Sequence, residues 1–514
     1  MIFFRNFVND LATQVYAVTE RPFWRVKNQK VKTKKLRIMK RILTTLALAA
    51  TISFTTMAQV NPNDKEYLHP REDGKIELLF TGDFCHHDTT TLAQLLDEWE
   101  KFTYKHPTNE IGWRNYSEVM QSYYMNLGWP EKSQRHREER YKRMAESIPN
   151  TYTYYYLNSG IDGYENACKA MELLPDDMAY SDMLHLIGIM MNREDTVRMT
   201  KLLTESYYRG FCPGYKLQYH FNELQGMPEN ALIIGTGGMG LIFPKLVIQY
   251  VLGQHRDKVI YQEGRSFDET YVEQFCQRFG IPKFDFKKWY RSRKPEPDNV
   301  RAQFETHKKV VQHICDNSPR PVCFSSMGMS NDFLTDSLKA RLYNEGLTLR
   351  YSATPYDNFA VKRRNIDQRY LFEYLLYPFE AEPKWNRHWR WSEDDKWFLA
   401  ENYIKLLKDQ LPWYKKHNRK GYEQLGNLFY RMSINSAIPL FRKAVKDISV
   451  QLKPNLTEKE FEEKMKEAEK QFEEKMKEYE NWGFEKFLEA LEAAEKKAKE
   501  ADKNAETPTK QEKK

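Results

Sequence analysis

Residues 231–263 carry an apolar run, a glycine-rich turn, an amphipathic stretch and a second apolar run, in that order. This order restricts the chain to folds that contain an α/β unit. Ala231–Ile234 and Lys258–Gln262 read as strands, and Phe243–Leu252 as the helix between them. The alternation continues with helices at Glu269–Phe279, Val300–Asn317 and Asp332–Asn344, and with strands at Pro321–Ser325 and Leu347–Ser352. It predicts a small, mainly parallel α/β layer over 228–360.

The flanks are helical. In 94–227, Leu95–Phe102, Trp113–Met125 and Asp182–Met191 show apolar periodicity over about a dozen residues each. Glu165-Asn-Ala-Cys-Lys-Ala-Met-Glu-Leu-Leu-Pro175 matches the second helix of a tetratricopeptide repeat, although the spacing is not a clean repeat. Before it, 59–93 reads as extended, with Lys75–Thr81 as a strand or docking segment. After the α/β layer, 361–455 returns to helices at Gln368–Leu376, Asp394–Leu411 and Tyr422–Asp447. A capping box at Thr457-Glu-Lys-Glu460 opens a long charged helix over 456–502. Phe461, Met465, Ala468, Phe472, Met476 and Tyr479 share one face of it, and 503–514 reads as a disordered tail. The expected fold is therefore α/β plus α: degenerate tetratricopeptide-like helical repeats flanking the layer, with a long charged helix at the C-terminus.

Residues 1–58 read as a leader. Met39–Ala58 has a cationic start, an apolar stretch and a small residue before Gln59, the pattern of a secretory signal peptide. The whole chain has 80 basic and 72 acidic residues; 11 and 2 of these lie in 1–58, leaving 69 and 70, a formal charge of −1. That balance gives no basic footprint for nucleic acid. No other stretch is long and apolar enough to span a bilayer. Cys85, Cys168, Cys212, Cys276, Cys315 and Cys323 are scattered without a CxxC, too sparse for a disulfide framework, though one or two bridges suit an oxidising periplasm.

Gly235-x-Gly237-x-x-Gly240 fits the dinucleotide fingerprint, and Glu263 ends the second strand where an acid meets a ribose. Pro244 weighs against that reading. Proline is disruptive inside a helix and welcome at its first position, so the helix is expected to start near Pro244, away from the glycines. Leu241 and Ile242 stand where a triphosphate-binding loop needs Lys and Ser/Thr. No cofactor is expected.

Pro228-Glu-Asn-Ala-Leu-Ile-Ile, Phe243-Pro244, Gln249-Tyr-Val, Arg256-Asp-Lys-Val-Ile-Tyr, Trp289-Tyr290, Arg320-Pro-Val-Cys-Phe324 and Glu345-Gly-Leu-Thr-Leu-Arg-Tyr follow in order over about 228–380. This series resembles the soluble C-terminal tail of the Bacteroidetes protein O-mannosyltransferase-like membrane family. The resemblance implies an α/β layer followed by helical repeats. It carries over no transferase activity, because the membrane half is absent, and Gly237-Gly238-Met239-Gly240 replaces the family's acidic loop.

Other candidates meet plainer readings. Asp83-Phe-Cys85-His86-His87-Asp88 is dense in metal-capable groups, but neighbours on an extended chain point to opposite faces, so a surface loop is the better reading. Ser325-Ser326 lacks a nucleophile elbow and a recognisable His/Asp partner. Trp385, Trp389 and Trp391, with Arg387, His388 and Arg390, suit a glycan or protein partner, or helix packing. Tyr152–Tyr156 carries the same two readings. Phe472, Met476 and Trp482 are the partner-binding candidates on the charged helix. Asp88-Thr-Thr, Asp195-Thr-Val and Asp336-Ser-Leu match a short O-glycan acceptor pattern of exported Bacteroidetes proteins. The expected function is a non-catalytic, exported scaffold or interaction protein of the bacterial envelope. The alternative is an envelope enzyme or a nucleotide-sugar or dinucleotide binder that uses the 235–240 loop.

Overall fold

A computed structural model describes residues 68–71, 76–84, 87–160, 163–176, 178–235, 239–292, 299–326, 334–372, 392–434, 477–478 and 481–493. The described chain is mostly helical with one small mixed sheet. No helix in it is long and apolar enough to cross a membrane. It forms two compact units, one of 1–182, 383–390 and 436–514, the other of 183–382 and 391–435. The signal-peptide segment 39–58, Trp385, Trp389, Trp391, Phe472, Met476 and the tail 503–514 lie outside the described residues.

The first unit is built from helix pairs. Asp88 caps α1 (Thr89–Lys105) by accepting from the Thr90 and Thr91 amides, and Asn109 caps α2 (Glu110–Asn126) by accepting from Gly112. Leu92, Leu95, Leu96, Trp99 and Phe102 fall on one face of α1 and are buried. Gly112 lets α2 approach: a Cβ there would sit 2.7 Å from the Phe102 ring. Three further helices follow: α3 (Lys132–Ser147), α4 (Tyr152–Leu157) and α5 (Tyr164–Glu172). The segment expected at 75–81 is a docked strip without a strand ladder. Asn115 of α2 accepts from the Leu79 amide and donates to Glu77 O, both at 2.8 Å, which mimics a strand partner. The stretch expected to be extended to 93 contains a helical turn at Thr81–Phe84 and gives way to α1 at Thr89, because Asp88 supplies the cap.

The unit boundary falls within α6 (Tyr180–Asn192). The second unit continues with α7 (Thr196–Tyr208), capped by Asp195, and α8 (Gly214–Gly226). Strands β1 (Leu232–Gly235), β2 (Val259–Gln262), β3 (Val322–Ser325), β4 (Leu342–Asn344) and β5 (Thr348–Tyr351) then form a sheet in the order β2-β1-β3-β5-β4. β1 pairs parallel with β2 and β3, whereas β5 pairs antiparallel with β3 and β4. The sheet is therefore mixed, not mainly parallel. Among its described residues, the stretch expected as one helix at 332–344 holds a four-residue helix, α13 (Asp336–Lys339), and then β4, which returns as a hairpin into β5.

Side chains alternate between the faces of the sheet. Leu232, Ile234, Tyr261, Val322 and Phe324 pack on α10 (Glu269–Phe279) and α12 (Asn299–Asn317), with α11 (Phe286–Ser292) between those helices in the chain. Ile233, Ile260 and Cys323 pack on the other face, under α8. Helix α14 (Asn358–Gln368) ends where a helix was expected to begin, and α15 (Ser392–His417) follows. Near the C-terminus, Asn481–Gly483 is a turn and 484–493 is helical, so the charged helix expected across 456–502 is interrupted at glycine.

Candidate functional site

From β1 the chain passes to β2 on one side, and β3 lies on the other. Their carboxyl ends thus meet at a topological switch point, the position where open α/β sheets bind ligands. Gly235 closes β1 opposite Gln262. Gly237 lies outside the described residues with 236–238. Helix α9 (Met239–Leu246) begins directly after the turn, with Gly240 in its first turn and open space where a Cβ would sit. This corrects the expected helix start: Pro244 is inside α9. Pro244 has no amide to serve the Gly240 carbonyl, and the helix continues as a wide π turn at Val247–Val251. Gln249 of that turn donates to the His255 and Lys258 carbonyls at 2.9 and 2.8 Å, which steers the chain into β2.

Beneath this edge, α8, α9 and β3 bring together four polar groups, of which the sequence reading weighed only Ser325, and set it aside. Lys245 Nζ of α9 lies 2.8 Å from Glu223 Oε2 of α8, and His220 Nδ1 lies 2.5 Å from the same oxygen. Ser325 Oγ donates to Glu223 Oε1. Lys245 also donates to Leu241 O at 3.0 Å. His220, Glu223, Lys245 and Ser325 are all fully buried. Burial would raise the Glu223 carboxyl, but Lys245 and His220 overcome it and bring it down to about 2. Burial and the Lys245 charge lower His220 to about 4, so the neutral imidazole donates from Nδ1 to the carboxylate. Its Nε2 has no hydrogen-bond partner. The serine hydroxyl donates to the carboxylate, which ties β3 to α8. The set works as a clamp on three elements. Next to it, Tyr219 Oη meets Ser326 Oγ at 3.3 Å, and Asn222 bonds the Leu371 backbone and Tyr403.

Glu263 stands at the carboxyl end of β2, half-buried, and burial lifts its carboxyl to about 8. Its backbone carbonyl receives Ser266, and His307 Nδ1 lies 3.2 Å from it.

Of the remaining sequence candidates within the described residues, the tyrosine run at 152–156 serves its unit's core. Tyr152 donates to Asp182 at 3.1 Å, and the Arg114 guanidinium lies 4.6 Å from the Tyr156 ring centre, so this tyrosine run packs inside its unit. Trp482 is half-buried under Lys486. Among the described residues no three metal-capable side chains converge. Cys168, Cys212, Cys276, Cys315 and Cys323 are free thiols, so no bridge forms among them. An open polar groove of about 670 Å³ is lined by Asn192, Arg193, Glu194, Gln274, Gln277 and Arg278. No family model, curated protein or solved structure matches this chain.

Proposed function

We propose that the chain is an exported, non-catalytic interaction protein of the bacterial envelope, with tetratricopeptide-like helical hairpins that take a protein or glycan partner. The fate of the polar groups at the switch point carries this reading. His220, Glu223, Lys245 and Ser325 hold one another and present no reactive atom to solvent, so the α/β layer serves as a mount. Aromatic groups with basic neighbours remain outside. Trp129 is 44% exposed with Arg137 5.2 Å from its ring centre, and Tyr104 is 65% exposed under Arg143. Such groups offer area and a polar rim to a partner. Capture from envelope fractions by the chain lacking 1–58 should yield a partner whose recovery falls in Trp129→Ala and Tyr104→Ala. Recovery unchanged in both variants would remove these side chains from the interface.

One observation favours a second reading, a nucleotide-sugar or dinucleotide at the glycine turn. Helix α9 starts at Met239, so its free amides face the turn, and Glu263 occupies the end of β2. A saturable rise in melting temperature with NAD or a nucleotide sugar, abolished in Glu263→Gln, would establish this reading over the first.

A further inference from the structure

The β4–β5 hairpin is mounted on buried polar groups whose hydrogen bonds do not close within the protein. Glu345 N donates to Thr348 O at 2.9 Å across a turn in which Gly346 has φ +127°. Asn365 of α14 donates from Nδ2 to Glu345 O at 2.9 Å and to Gly226 O at 3.3 Å, which fixes the orientation of its amide. Tyr356 Oη donates to Glu345 Oε1 at 2.8 Å, and Arg350 Nη1 lies 3.6 Å from that oxygen. Four atoms around the turn then have no hydrogen-bond partner: Glu345 Oε2, Asn365 Oδ1, Thr348 Oγ1 and Arg350 Nε. Glu345, Thr348 and Asn365 are at most 1% exposed.

Orphaned buried polar atoms are rare in native proteins, and four around one turn call for a common partner. Their chemistry is mixed. Glu345 Oε2 and Asn365 Oδ1 accept, Arg350 Nε–H donates, and the Thr348 hydroxyl does either. A cation would satisfy the oxygens but is repelled by the guanidinium. An anion would suit the guanidinium but is repelled by the carboxyl. A neutral molecule with two protons and two lone pairs matches the set. We propose that a permanently bound water occupies this position and pins the hairpin to α14, as buried waters do when offered about three polar partners.

Thr348→Val tests this, because valine keeps the shape and removes the hydroxyl. If the hydroxyl bonds a water, the folded-to-unfolded ratio of the full chain falls about tenfold in equilibrium denaturation. If the hydroxyl is dry, the variant equals or exceeds the parent in stability, and the proposal is overturned. A crystal structure of the full chain with ordered solvent gives a second reading, in which a peak within hydrogen-bond distance of Glu345 Oε2 and Thr348 Oγ1 is expected and a dry site overturns it. Melting temperatures in sodium, potassium and choline chloride at equal ionic strength should coincide. A midpoint specific to one metal ion would replace the water with a cation.

Discussion

Each unit buries an ion pair, and the two are built differently. In the first, Arg114 of α2 holds Asp182 in the first turn of α6 by two bonds of 2.7 Å, with the Tyr152 and Tyr156 hydroxyls as further donors. The acid also sits at a helix N-terminus, where the dipole favours it. In the second, the acid is paired with a lysine, and its neutral donors are the His220 imidazole and the Ser325 hydroxyl. Breaking either pair is costly, but only the second includes an imidazole as a member.

The largest expected effect is common to both. Asp182→Asn and Glu223→Gln should each lower stability by about 3–5 kcal/mol in chemical denaturation, because each leaves a buried cation uncompensated. Replacing the charged pair, together with the tyrosine donors in the first unit, separates them. Arg114→Met, Asp182→Leu, Tyr152→Phe and Tyr156→Phe together should return close to the parent. Lys245→Met with Glu223→Leu should stay about 2 kcal/mol below it, since His220 Nδ1 and Ser325 Oγ lose their acceptor. Equal recovery in the two units would erase the distinction.

Acid should expose the imidazole next. His220 is lowered from 6.5 to about 4, so the unfolded chain binds its proton first. The stability this group contributes is complete above pH 6.5 and is lost as pH falls towards 4. Glu223, lowered from 4.5 to about 2, adds a further loss below pH 4.5. Protection of the β1 and β3 amides, with the intrinsic pH dependence of exchange divided out, should therefore fall between pH 6.5 and 4, by a destabilisation on the order of 2–3 kcal/mol. Flat protection across that window would mean that His220 is protonated without penalty.

The smallest effect has the opposite sign. Glu263 is raised from 4.5 to about 8, so its burial is free of penalty below pH 4.5 and increasingly unfavourable as pH rises towards 8. Glu263→Gln should match the parent near pH 4.5 and exceed it by about 1–2 kcal/mol at pH 8 in paired denaturation curves. A constant difference across pH would show that this carboxyl is solvated.

The strands were legible because β1 and β3 are fully buried apolar runs, and their expected bounds differ by one residue from those observed. The start of α9 was not, because the preference of proline for a first turn was overridden by a widened turn that absorbs its missing bond. The clamp was invisible for another reason. Its serine and glutamate are 102 residues apart, and His220 and Glu223 sit in Tyr-Lys-Leu-Gln-Tyr-His-Phe-Asn-Glu, which has the look of a half-solvated helix. The one available signal was that α8 precedes β1 directly and must cover its sheet, which forces part of that polar face inward.

The order of strands also sets a timetable for synthesis. β1 emerges early, yet its second neighbour, β3, follows only after 90 further residues, from Leu232 to Val322. The β4–β5 hairpin closes on contacts fewer than ten residues apart, and the β3 edge it joins is already made when it emerges. His220, Glu223 and Lys245 lie within 25 residues of one another, so that charge set assembles before most of the sheet exists. A nascent chain stopped short of Val322 would carry a neutralised helix pair beside an open hydrophobic edge, the form in which this protein is most exposed to pairing with the wrong strand.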